Sequence, residues 1–138
     1  MNINKNDIIN WNYLLTLKSK EPHSQVKQGI EAALHRTEYY ADPVDKASAL
    51  FHSLVNNHYF VQANKRTALV ALLLSLSSYD FDDTFLENLI IDTVNNHLDV
   101  EEISSRLSRE LKNEKSLSET IGSILIKYNT LIERLYYI

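Results

Sequence analysis

Cysteine is absent from the 138 residues, and glycine and proline occur only twice each. Without cysteine there is no disulfide scaffold, no thiolate zinc site and no cysteine nucleophile. So few turn residues exclude a β-sandwich or barrel and favour helices joined by short polar loops. A basic excess is also lacking: 14 Lys+Arg against 18 Asp+Glu leave a net charge of −4, with no global attraction to nucleic acid or anionic lipid. No long hydrophobic run occurs either; the longest, Ala68 to Leu74, is seven residues and far too short to span a bilayer. The opening MNINKNDIINWNYLL lacks the apolar core and cleavage site of a signal peptide. These absences lead to the expectation of a soluble, cytoplasmic protein without membrane or direct nucleic-acid partners.

What is present is a foldable chain. Hydrophobic residues make up 44% and charged residues 23%, which excludes intrinsic disorder. A single domain of this length buries roughly two thirds of the surface its unfolded form exposes. Apolar residues at Ile8, Trp11, Leu14, Leu15 and Leu17 predict a helix over 7–18. Pro22 is read as opening a second helix through Val26, Ile30, Ala33 and Leu34. Residues 36–42, RTEYYAD, break the pattern and read as a short extended segment. Asp42-Pro43 then caps a helix ending near Asn56-Asn57, and HYFVQA connects it to a helix apolar on every side, the expected central element. Thr84 with Glu87, and Ser116 with Glu119, have capping-box spacing, and Asp99 caps a helix through Val100, Ile103, Leu107 and Leu111 that ends in the polar KNEK stretch. An apolar stripe runs from Leu117 to Leu135, either as core packing or as a dimer- or partner-binding helix. The fold expected is all-α, with about seven helices around the central one.

Chemistry concentrates in residues 56–67, NNHYFVQANKRT. Asn64, Lys65 and Arg66 open the central helix, where unpaired backbone N–H groups and the helix dipole favour an anion. Cations normally sit at helix C-termini, so a basic pair at an N-terminus is out of place unless an anion binds. His58 is the nearby side chain able to take a proton from a hydroxyl near neutral pH, and Phe60 would pin its loop inward. The competing readings are a surface histidine and a solvated basic turn. His35, His52 and His97 lack metal-ligand spacing and are read as structural or surface residues.

HYFVQANKRTAL resembles the signature of the Fic/Doc family, His-x-Phe-x-Asp/Glu-Gly/Ala-Asn followed by Gly or Lys and Arg. Ala63 to Leu69 match the wording of its Doc (death-on-curing) branch residue for residue. The resemblance implies a compact helical domain over 1–138, with residues 5–112 as the family core and an additional C-terminal helix over 116–137. It implies that His58 is the general base and that Asn64, Lys65 and Arg66 hold nucleotide phosphates, with Phe60, Ala63 and Thr67 supporting the motif. Doc-type members transfer the γ-phosphate of ATP to elongation factor Tu, arrest translation, and pair with an antitoxin of the Phd type. Fic-type members transfer AMP to a protein hydroxyl; Ala63 and Lys65 in place of glycines, and Leu69 in place of a second arginine, argue against that branch.

Gln62 stands where the family has the acidic Mg²⁺ ligand, and an amide oxygen brings no negative charge to a hard cation. Asp80, Asp82 or Asp83 would have to compensate. A third reading therefore treats the chain as a catalytically impaired binding or regulatory module. The segment with Tyr39 and Tyr40 would correspond to the family's target-docking flap, or those tyrosines are core or interface aromatics. The inhibitory pattern Ser/Thr-x-x-x-Glu followed by Gly or Asn is not found in the sequence.

Overall fold

The computed structural model describes residues 2–111 and 121–137. Among the described residues the architecture is all-helical, as the composition requires. Helix α1 (Lys5–Ser19) starts in a reciprocal capping box, Asn4 accepting from the Asp7 N–H and Asp7 from the Asn4 N–H, and ends at Lys20 in a left-handed cap. Its buried face, Ile8, Trp11, Asn12, Leu15 and Thr16, packs against the central helix.

The helix expected from Pro22 does not start there. Residues 20–29 are irregular, and α2 runs only over Ile30–Arg36. The chain at Ser24–Lys27 is drawn instead into backbone pairing with the loop ahead of the central helix, which leaves Val26 exposed rather than on a helix face. Gly29 makes the turn into α2 with φ 123°, and a Cβ at that position would lie 3.1 Å from the Tyr59 ring. The extended segment expected over 36–42 is also replaced. Arg36 ends α2, Thr37–Tyr39 form a 3₁₀ turn closed by the Tyr40 N–H on the Thr37 carbonyl, the Thr37 hydroxyl donates back to the Leu34 carbonyl, and Tyr40 and Asp42 have extended backbone without forming a strand.

Helix α3 (Pro43–Asn56) begins as expected: Asp42 accepts from the Val44 and Asp45 N–H groups, with Pro43 at the first position. It lies along α4 (Asn64–Ser75), the most extensive packing in the domain. From Arg66 to Leu73 every residue of α4 is buried. Each such leucine contributes about 1.5–3 kcal/mol of apolar transfer, so the central position of α4 is driven by its composition.

Helix α5 (Asp83–Asn95) starts one residue ahead of Thr84, with Asp82 as the cap, so the Thr84/Glu87 box does not form. Helix α6 (Val100–Glu110) carries the capping box of Asp99 and Glu102 and packs on α3. The Ser116/Glu119 capping box and Leu117 lie outside the described residues. The C-terminal stripe is two helices, α7 (Ile121–Lys127) and α8 (Asn129–Tyr136), broken at the buried Tyr128. Ile124, Leu131, Ile132 and Leu135 are buried, and both helices pack on α4. These buried residues of the stripe therefore belong to the chain's own core, while Ile126 and Tyr137 are exposed. No helix among the described residues is long and apolar enough to cross a membrane.

Candidate anion-binding site

The loop between α3 and α4 is shaped by two left-handed residues that are not glycine, His58 (φ 50°) and Ala63 (φ 65°). Such a conformation costs roughly 1–2 kcal/mol for an L-residue and persists only where surrounding bonds enforce it. Four sets of bonds do so here. Val26 N–H donates to the Tyr59 carbonyl (2.8 Å), and Val61 N–H donates to the Ser24 carbonyl (2.9 Å). The Asn64 side chain grips Phe60 at both ends, accepting from its N–H (3.0 Å) and donating to its carbonyl (2.8 Å). Tyr59 and Phe60 are both buried, and the Tyr59 hydroxyl accepts from Asn57.

The fourth set comes from α1. Asn12, fully buried, donates to the Gln62 carbonyl (2.8 Å) and to the Thr67 hydroxyl (3.1 Å), and that hydroxyl donates to the Ala63 carbonyl. The Asn12 oxygen pairs with His23 Nδ1 at 2.9 Å. Since the Asn12 amide nitrogen already has two acceptors, its oxygen faces His23, and Nδ1 must carry the hydrogen.

These bonds leave the start of α4 open. Ala63 offers no side-chain cap, and the first backbone bond into the helix is Thr67 N–H to the Ala63 carbonyl. The N–H groups of Asn64, Lys65 and Arg66 are thus the unsatisfied donors of an uncapped N-terminus. They face a cleft of about 510 Å³ whose lining includes His58, Gln62, Asn64, Lys65 and Arg66. The structure therefore brings the motif residues of the sequence to one cavity. Thr67 stands behind them, buried, with the two bonds already given.

Arg66 is placed differently from a free phosphate clamp. Its guanidinium is nearly closed to solvent, lies 2.8 Å from Glu21, donates to the Ser19 hydroxyl oxygen at 3.2 Å, and sits 5.2 Å from the Tyr136 ring centre. Ser19 in turn donates to Glu21. Asn64, too, gives its side chain to the loop, so its free group toward an anion is the backbone N–H. Lys65, partly exposed, has no ion pair among the described residues.

Tyr39 and Tyr40 do not reach this cleft. They line a separate cavity of about 190 Å³ with Arg36 and His52. There burial lowers the His52 pKa below the usual 6.5, opposed in part by Asp99. Asp80, Asp82 and Asp83 do not line the cleft either; Asp80 pairs with Lys127. Magnesium, which the resemblance implies, finds no fitting donors among the described residues: none of the carboxylates there lines the cleft, and Gln62 offers a neutral amide beside Lys65 and Arg66. Among the described residues there is no cluster of His, Asp or Glu able to hold a metal ion.

Sequence reasoning missed Asn12, His23, Glu21 and Tyr136, and it assigned His97 no part in a site. Asn12 on an apolar helix face was the one readable signal, since a buried amide demands partners. His97 lines the cleft together with Tyr136 and Leu135, although all three lie far along the chain from the motif.

The fold and cleft define a helical domain with an uncapped, basic helix start beside a histidine loop held in a left-handed backbone. Residues 10–76, just under half of the chain, match the model of the Fic/DOC family. The match runs from α1 to the end of α4 and leaves α5–α8, with His97 and Tyr136, outside it. No curated protein matches the chain.

Proposed function

We propose that the chain is a Fic/Doc protein of the Doc type, a toxin that moves the γ-phosphoryl group of ATP to a hydroxyl of a protein target such as elongation factor Tu. The observation that carries this reading is the meeting of His58, Lys65 and the uncapped N–H groups of α4 in one cleft. In the step proposed, neutral His58 takes the hydroxyl proton and the freed oxygen bonds to the γ-phosphorus. The bond from that phosphorus to the bridging oxygen breaks, and ADP leaves. The backbone N–H groups and Lys65 neutralise the phosphates, and positioning supplies most of the remaining catalysis.

Docking of an extended target segment fits Gln25 better than Tyr39 and Tyr40. The bonds from Ser24 and Val26 to the motif loop turn the Gln25 N–H and carbonyl the other way, and neither has a backbone partner among the described residues. An unpaired edge beside the cleft suits β-strand addition. A separate antitoxin of the Phd type would control such a protein from the cytoplasm.

A second reading, a binding or regulatory module without transfer, is favoured by Gln62 and by the Glu21–Arg66 pair. Incubation with a bacterial lysate and ATP labelled at the α or the γ position separates the readings. Label from the γ position alone supports phosphoryl transfer, and label from the α position supports the Fic-type nucleotidyl transfer. Binding of ATP with no label on any protein supports the module.

A further inference from the structure

We infer that the cleft takes phosphate anions without a divalent cation held by the protein, and that His97 supplies a contact a metal ion would otherwise make. The inference rests on the phosphate-binding reading above and states how the anion is neutralised.

The charge of the lining is of one sign. Among the described residues its ionic side chains are Lys65, which is unpaired, and Arg66, which Glu21 already neutralises from behind the lining, and no carboxylate lines the cleft itself. A hard dication needs charged oxygen ligands, and one amide flanked by cations is a poor substitute. An anion carrying its full charge gains most from the same surroundings.

The histidines divide into two groups. His23 is bound to Asn12, His35 pairs with Glu38, and His52 sits under the influence of Asp99 in its own cavity. His58 and His97 are the two that line the cleft, and neither has a hydrogen-bond or ion-pair partner among the described residues. They are built alike. Both are left-handed, with φ 50° and 52°, and each precedes a deeply buried residue, Tyr59 or Leu98. Two strained, unpartnered imidazoles from separate connections in one carboxylate-free cleft have a common use: each can donate an N–H to a phosphoryl oxygen. His97 comes from the α5–α6 connection, so this contact is contributed by a part of the chain beyond the family match.

The test is ATP binding by calorimetry on the full chain, in excess EDTA and in excess magnesium chloride at matched ionic strength. The expected result is binding in EDTA that weakens when magnesium is supplied. His97→Asn, which retains the left-handed backbone, should weaken binding in EDTA by about tenfold. The ring nitrogens of His97 should shift on titration with ATP, read by nitrogen NMR of the wild type, which does not depend on the variant folding. Binding that requires magnesium overturns the inference and leaves the phosphate reading standing. Binding in EDTA that His97→Asn leaves unchanged, with no shift at His97, overturns the role of that residue. Absence of ATP binding under both conditions overturns the phosphate reading itself, and this inference with it.

Discussion

The Arg66 guanidinium and the Glu21 carboxylate, 2.8 Å apart, are the least solvent-exposed ion pair among the described residues. Glu21 comes from the segment after α1, and Arg66 from the first turn of α4, so the pair joins the irregular 20–29 segment to the helix start. Breaking a buried pair strands a charge and costs about 3–5 kcal/mol, whereas replacing both partners with apolar groups is often close to neutral. Glu21→Ala and Arg66→Ala are each expected to lower unfolding stability by about 3 kcal/mol. The double variant Glu21→Leu/Arg66→Met should lose much less than the sum. Urea unfolding of the set decides it, and additive losses would show that the two side chains are not coupled.

The motif loop depends equally on Asn12. Substituting leucine leaves the Gln62 carbonyl, the Thr67 hydroxyl and His23 Nδ1 without their partner. Asn12→Leu should cost about 2–4 kcal/mol despite its similar volume. The same network predicts that neutral His23 is the Nδ1–H tautomer, which nitrogen NMR of the imidazole reads directly. A ring protonated only at Nε2 would contradict the bond pattern.

Stability should also carry an acid-sensitive component from His52. Burial holds its folded pKa below the unfolded value of 6.5, with Asp99 acting in the opposite sense. Between the folded value and 6.5 the unfolded chain binds more protons, so stability rises with pH across that window. The penalty is complete below the folded value and absent above 6.5. His52→Gln should therefore flatten this part of the profile, measured as the denaturant midpoint against pH. An unchanged slope would place the acid sensitivity elsewhere.

The elements legible in the sequence were those set by local chemistry. Asp42-Pro43 and Asp99 with Glu102 specify their helix starts without help from distant residues. The unbroken apolar composition of residues 68–74 requires burial whatever surrounds it. Pro22 misled because a competing partner lay more than 30 residues away: Ser24–Lys27 satisfies its backbone on Tyr59–Val61. Tyr128 was invisible as a break because it fits the apolar stripe and departs from it only in its backbone, φ −107° and ψ 22°. In the site, the contiguous residues His58 to Arg66 could be read together because one helix start carries them. Glu21, Asn12 and His97 reach the same place only through tertiary packing, and no spacing rule connects them to the motif.

Gln62 offers the sharpest means of converting the cleft. It is exposed and lines the cavity, and its fixed part is the backbone carbonyl bound by Asn12, so the side chain can change without disturbing the loop. Gln62→Glu keeps the size and adds the one negative oxygen donor that the lining lacks. Two effects follow from that single charge. Metal-free ATP should bind about tenfold more weakly, because a carboxylate now faces the phosphates. Magnesium should strengthen binding rather than weaken it, reversing the dependence expected of the wild type. Any transfer of labelled phosphate should rise in the variant and disappear in Gln62→Glu/His58→Asn, where asparagine tolerates the left-handed backbone at φ 50° but cannot take the hydroxyl proton. Calorimetry with and without magnesium, followed by labelling, tests both effects on the same protein. If magnesium still weakens ATP binding to Gln62→Glu, this side chain does not stand where a metal would meet the phosphates.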